Sequence, residues 1–201
     1  ACLDLVYASN DPGRDHLIER IESRSGVHTV EAAAALGINR MVVHTGWLPF
    51  IYFKGWQAEK GAEFWQKFMS DKPSDFRIYV ENVLEDEPYM MLDMMRQIDH
   101  PAIKLCLDIG HANATTPPEL PVEKWIEVLG THIGHFHLHN NDGTGDSHSA
   151  FDRGSMDMNS IFSAIDDFCE DDVTLTIEAR DARACLEWLH SRKYIYFSKG
   201  L

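Results

Sequence analysis

Positive charge is scarce in this chain. Its 201 residues carry 18 Lys and Arg against 32 Asp and Glu, a formal net charge of -14. A phosphate backbone would be repelled unless a local basic patch overrode that field, so nucleic acid is not an expected partner. Cysteine is sparse too. Cys2, Cys106, Cys169 and Cys185 show no C-x-x-C spacing, and two of them sit in apolar runs where they read as small core residues, so a reducing cytoplasm is the expected location. Long hydrophobic runs are missing: no window approaches the roughly 18 apolar residues of a membrane span. Nor does the N-terminus show a basic-then-apolar signal pattern. The chain begins at Ala1 rather than Met, and two expectations stand, a fragment of a longer chain or a naturally shortened one.

With 44% hydrophobic and 25% charged residues, the chain can bury one sizeable core, and residues 1–201 read as a single domain, N-terminally incomplete. No low-complexity linker interrupts it. Apolar, β-branched runs recur at Cys2–Ala8, Met41–His44, Arg77–Asn82, Lys104–Asp108, Ile133–His139 and Val173–Glu178. Between them lie segments with apolar residues at helical spacing. They are "RDHLIERIES" and "HTVEAAAALG", the latter ending in Gly37 at a C-cap position, then "QAEKGAEFWQKFM", "EPYMMLDMMRQI", "PVEKWIEVLG" and "MNSIFSAIDDFCE". Pro88 and Pro121 stand near first-turn positions. Strands alternating with helices predict βαβ units and a parallel sheet.

The strand ends carry the chemistry. Period-2 alternation puts Tyr79 with Glu81, Cys106 with Asp108, His135 with His137 and His139, Thr176 with Glu178, and Val42 with His44. Five successive strands thus finish on His44, Glu81, Asp108, His137 and Glu178, and in a parallel barrel those ends converge on the catalytic face. Each residue alone has an ordinary explanation: a carboxylate after a strand is often a helix N-cap, and a lone His is often a satisfied hydrogen-bonding residue. Three carboxylates buried together, however, would each cost several kcal/mol or become protonated. A divalent ion resolves that repulsion.

The ordered series "VVHTG", "VENV", "LDIGHAN", "HFHLHNNDGTGDSH" and "LTIEA" resembles the xylose-isomerase-like TIM-barrel superfamily, from about Leu5 to Tyr194, with "ACLEWLHSRKYI" similar to its closing helix. That superfamily holds sugar and sugar-phosphate isomerases and epimerases and the endonuclease-IV-type repair enzymes. The resemblance implies an α/β fold of the (β/α)8 TIM-barrel type. In it, one divalent metal (Mn2+, Mg2+, Co2+ or Zn2+) is held by Glu81, Asp108, His137 and Glu178. It also implies that Glu81 and Glu178 transfer a proton on opposite faces of a carbon next to a carbonyl, through an enediolate. Substrate contacts fall to His44, His111 and Arg180, and the substrate is a small sugar or sugar phosphate. Six visible strands match positions three to eight, so the first two β/α units are expected to be missing. Open edges on such a shortened barrel would favour a homo-oligomer.

Other features fit less simply. Asp146 and His148, with His111, resemble the positions of an additional zinc in the endonuclease-IV-like enzymes, where His44 matches a further ligand. Against that, Tyr7 or a neighbour in "LVYASN" replaces a ligand His, and "NNDGTGD" is rich in turn formers, so Asp146 could simply order its loop. "SAFDRGSMD" has Asp152 where the family places a Gly, which changes the expected shape of that loop. "GWLPFIYFKGW" carries five aromatics after His44 and could wall the pocket, join an oligomer or pack locally. Three readings stand: a metal-dependent sugar isomerase or epimerase, which is the first choice; a zinc phosphodiesterase on abasic DNA; and a non-catalytic, degenerate barrel.

Overall fold

A computed structural model describes residues 33, 35–72 and 74–195 of the chain. The expected strand Cys2–Ala8, Tyr7 within it and the segment "RDHLIERIES" lie outside those residues. Just inside, Gly37 has a left-handed φ of 69°, and the Ile38 N–H reaches back to the Ala33 carbonyl at 2.7 Å. A Cβ is strained in that conformation, so the run of alanines stops on glycine as expected.

The described chain divides into two compact units, one made of the residues up to Leu84 with Tyr89–Cys106, the other of Glu85–Pro88 with the residues from Leu107 on. The first contains β1 (Arg40–His44), α1 (Lys54–Met69), β2 (Arg77–Glu81), α2 (Tyr89–Ile98) and the beginning of β3 (Ile103–Asp108). β1 pairs in parallel with β2, setting Met41 opposite Ile78 and His44 opposite Glu81. β2 pairs in parallel with β3, setting Glu81 opposite Cys106. Parallel neighbours need a crossover, and α1 and α2 provide one for each pair. Burial on both faces explains why these strands read as continuous apolar runs rather than alternating ones. α1 turns Ala58, Ala62, Trp65 and Met69 inward, and it packs against α2, which buries Met90, Met91, Met94, Met95 and Ile98. The methionine cluster is thus a helix face in the core, as its spacing predicts.

The second unit holds the end of β3, then α3 (Ile109–Thr115), α4 (Val122–Leu129), β4 (Ile133–Leu138), α5 (Met158–Phe168), β5 (Thr174–Ile177) and α6 (Ala182–Ser191). β4 pairs in parallel with β5, His137 facing Thr176 across the ladder. α4 packs against α5, burying Trp125, Ile126 and Leu129 on one helix and Ile161, Phe162 and Ile165 on the other. α5 and α6 begin on aspartates whose carboxylates accept helix N–H groups, Asp157 from Asn159 at 2.9 Å and Asp181 from Ala184 at 3.0 Å. The five expected strands that fall in the described residues all form, with ends shifted by at most one residue. β5 stops at Ile177, which leaves Glu178 as the first residue beyond it. α3 is not expected from the sequence, because seven residues are too few for a helical period to show. Among the described residues, no helix is long and apolar enough to cross a membrane.

Candidate metal centre

In the first unit the register brings two expected site residues together. His44 and Glu81 end adjacent strands, with His44 Nε2 at 3.5 Å from Glu81 Oε2 and the carboxylate only 2% exposed. The Thr45 N–H donates to the Glu81 carbonyl at 3.0 Å, carrying the ladder one residue past the strand. Gln57 of α1, fully buried, donates to the Thr45 carbonyl at 2.9 Å and fixes the turn that follows. In the aromatic loop beyond, Trp47 is buried and donates from its indole to the Tyr52 carbonyl at 3.0 Å, whereas Phe50, Ile51 and Phe53 are exposed. Local packing therefore accounts for Trp47 but not for those three side chains.

In the second unit Asp108 is the hub. It ends β3 and caps α3, so the ordinary reading of a strand-end carboxylate and the functional one apply to the same side chain. Its Oδ1 accepts the His111 N–H at 2.7 Å and lies 3.1 Å from His139 Nε2. Its Oδ2 lies 3.8 Å from His111 Nδ1 and 3.9 Å from His137 Nδ1. Burial pushes the Asp108 carboxyl up, but the His139 hydrogen bond and the charges of His111 and His139 outweigh it and hold the group below the usual carboxylate range. Burial likewise pulls the His139 imidazole down, and the hydrogen bond and charge of Asp108, with the charge of Asp146, lift it above its ordinary value.

His137 also meets Glu178, with 3.3 Å between Nδ1 and Oε1. Parallel pairing sets this up: the Glu178 N–H donates to the Leu138 carbonyl at 3.0 Å, extending the β4–β5 ladder past β5. One imidazole nitrogen therefore faces two carboxylates, Asp108 and Glu178. It can offer at most one proton between them. Two carboxylate oxygens and an imidazole nitrogen are a donor set that a divalent cation satisfies.

The loop after β4 adds a second group. His148 Nδ1 is 3.0 Å from the Glu178 carbonyl oxygen, His148 Nε2 is 3.0 Å from Asp146 Oδ2, and His111 Nε2 is 3.4 Å from that same oxygen. Nδ1 thus faces a carbonyl and Nε2 a carboxylate, and a cation at Nε2 would give that nitrogen and the carboxylate a common partner. His148 is held at a left-handed φ of 49°, a region few residues other than glycine occupy, and the Arg180 N–H pins its carbonyl at 2.9 Å. The turn itself is ordered by Asp142, whose Oδ1 accepts the Thr144 N–H at 2.9 Å and the Thr144 hydroxyl at 2.6 Å. Asp146 is therefore not needed for that task. Arg180 enters this arrangement through its backbone, and its side chain is exposed.

Asn140, fully buried, holds the loop in shape. Its amide donates to the carbonyls of Phe151 at 3.0 Å and Met156 at 3.1 Å, and its oxygen accepts the N–H groups of Asn141 at 2.9 Å and Met156 at 3.2 Å. A Cβ on Gly154 would overlap this amide, so the glycine that shapes the loop is Gly154, while Asp152 lies exposed. Asn140→Ala should lower stability by about 1–3 kcal/mol, since it strands backbone groups of the loop without partners. Chemical denaturation of the two proteins measures the difference.

One site residue escapes the sequence reading. His139 is fully buried against Asp108, one residue past the end of β4. The signal is present in "HFHLHNND", where alternation places His139 on the face of His137.

Parallel strands crossed over by helices, with carboxylates and imidazoles at the C-terminal strand ends, define an α/β chain of the TIM-barrel type. Residues 8–195 match the xylose isomerase-like TIM barrels, and the chain belongs to that family. An uncharacterized protein of Methanocaldococcus jannaschii is 26% identical over 176 residues, which cover 77% of this chain and 55% of the relative. The chain thus spans about half the length of that relative. Among solved structures, a Thermus thermophilus protein soaked with zinc chloride has a TM-score of 0.69 at 21% identity, covering 98% of this chain and 77% of the other. The IolI protein with a bound zinc atom reaches a TM-score of 0.72 at 13% identity over 98% and 76% of the two chains. An L-ribulose 3-epimerase reaches 0.68 at 17% identity over 100% and 68%. At these identities the likeness is one of fold, and sugar epimerases are among the structures that share it.

Proposed function

We propose that this chain is a divalent-metal-dependent isomerase or epimerase of a small sugar or sugar phosphate. The observation that carries the reading is Asp108 and Glu178 on one nitrogen of His137, two carboxylates sharing an imidazole that can neutralise only one of them. Glu81 is the fourth ligand of the proposal, on the strand-end pattern that it shares with the other three. A bound metal, whether Mn2+, Mg2+, Co2+ or Zn2+, would polarise a substrate carbonyl and make the neighbouring C–H acidic. The chain's own part is the proton: one carboxylate of the Glu81 and Glu178 pair removes it and the other returns one to the opposite face. Glu178 suits the substrate side, its side chain 32% exposed beside buried His137. His44, His111 and Arg180 are assigned to substrate oxygens. Setting and pathway are proposed with it: a cytoplasmic enzyme of carbohydrate metabolism, consistent with free thiols at Cys106, Cys169 and Cys185.

A second reading has an observation of its own. Asp146 Oδ2 draws both His111 Nε2 and His148 Nε2, a group able to hold a further metal as a zinc phosphodiesterase would require. The net charge of -14 weighs against a DNA substrate. Metal content per chain, measured by elemental mass spectrometry after metal-replete purification, separates the two. About one divalent ion, lost in His137→Ala and kept in His148→Ala, is the expected result. Two or three zincs would favour the phosphodiesterase, and no metal would refute both readings.

A further inference from the structure

His139 sits in the middle of the metal-ligating side chains, yet its geometry does not suit a ligand. Its ring stacks on that of His148 with centroids 4.0 Å apart and planes only 16° from parallel. Imidazole lone pairs lie in the ring plane, so two stacked rings direct theirs within separate, nearly parallel planes, and an ion shared between them would lie well out of both. His139, Asp146 and His148 have ligand atoms close enough together for a shared metal, but that stacking keeps both imidazoles from serving it. What His139 does reach is Asp108: Nε2 lies 3.1 Å from Oδ1 and 3.3 Å from Oδ2.

Oδ1 of Asp108 is already committed. It accepts the His111 N–H at 2.7 Å in addition to His139 Nε2. The other oxygen, Oδ2, is the one nearer His137 Nδ1, at 3.9 Å. A carboxylate free to rotate can offer a metal either oxygen or both, whereas one held at Oδ1 by two donors offers Oδ2 alone. His139 is itself well fixed: fully buried, stacked on His148, edge-on to His111 with centroids 6.3 Å apart, and packed on Gly110, where any Cβ would overlap its ring. Such outer partners commonly decide how a ligand carboxylate is presented.

We infer that His139 is a positioning residue that, together with the His111 N–H, holds the Asp108 carboxylate in one orientation, so that Asp108 presents Oδ2 to the divalent metal. This rests on the metal-dependent reading above. The test compares His139→Gln, whose amide nitrogen falls near the place of Nε2 and can donate, with His139→Met, of the same length and without a donor. Each is titrated with Co2+ and followed by visible absorption, which reports the number and geometry of the ligands. The Met variant is expected to bind as many Co2+ ions as the wild type, about 10- to 100-fold more weakly, with shifted bands as the Asp108 carboxylate loses one of the two donors that orient it. The Gln variant should return both affinity and spectrum toward wild type. Loss of one Co2+ per chain in the Met variant would make His139 a ligand and overturn the inference. So would a Met variant indistinguishable from wild type, or a Gln variant no better than Met. If the Met variant does not fold, His139→Asn, whose amide is too short to reach Oδ1, replaces it. A wild type that takes up no Co2+ would refute the metal-dependent reading itself, an outcome visible before any variant is made.

Discussion

Gly110→Ala is expected to lower metal affinity about 10- to 100-fold and stability by about 1–3 kcal/mol, although it adds a single methyl group in a helix. Alanine is ordinarily the better helix former by about 1 kcal/mol, so propensity alone predicts the opposite sign. The reason is the close approach of the His139 ring, which a Cβ at position 110 would overlap. The ring cannot swing aside cheaply, because it is fully buried, stacked on His148 and bonded to Asp108. Displacing it leaves Asp108 Oδ1 with the His111 N–H alone and disturbs the stacked His148 at the same time. Gly55→Ala supplies the control: that glycine also lies in a helix, α1, and no other group comes within 4 Å of where its Cβ would stand. It should be neutral or slightly stabilising. Thermal unfolding of both variants, with a zinc titration of each, makes the comparison. A Gly110→Ala protein that melts and binds like wild type would mean that the His139 ring can move without consequence.

The contrast between these two glycines shows where sequence reasoning reaches and where it stops. The spacing of short apolar, β-branched runs locates β1, β2, β3 and β4, and alternation then assigns the faces at their ends. It also puts Glu81, Asp108 and His137 at strand ends, since a residue's place along a strand follows from local pattern alone. Partner choice does not. That Asp108 meets His111, His137 and His139 while the Glu178 carboxylate meets His137 depends on register, on the capping turn into α3 and on loop conformation. None of these is periodic. In the sequence Gly110 looks like any glycine after a strand, and its role exists only once the chain after β4 has placed a ring against it. The loop from 140 to 156 is similarly opaque. Asp142 and Asp146 both lie in a stretch of turn formers, and only the hydrogen bonds show that the first orders the turn while the second faces imidazoles.

Glu178→Gln tests the proton-transfer half of the proposed function, and it should abolish exchange more completely than it abolishes metal binding. Glutamine keeps a carbonyl oxygen where the carboxylate stood, so a ligand position survives in weakened form, but it cannot accept a proton at neutral pH. A positioned base contributes about 100- to 10,000-fold to rate. The expected result, over a panel of free and phosphorylated ketoses in D2O, is loss of solvent-deuterium incorporation by a factor in that range for the epimer whose C–H faces Glu178. His137→Ala should instead lose the metal and the exchange together. Because Glu178 is partly exposed and Glu81 is buried beside His44, the two glutamates need not respond alike. If each serves one face of the substrate carbon, Glu81→Gln and Glu178→Gln each stop net epimerisation in both directions, while each variant still exchanges the proton of the one epimer that its remaining carboxylate faces. NMR of both epimers with both variants reads this directly. Wild-type exchange of both epimers in one variant would remove that glutamate from the chemistry and leave it as a ligand only.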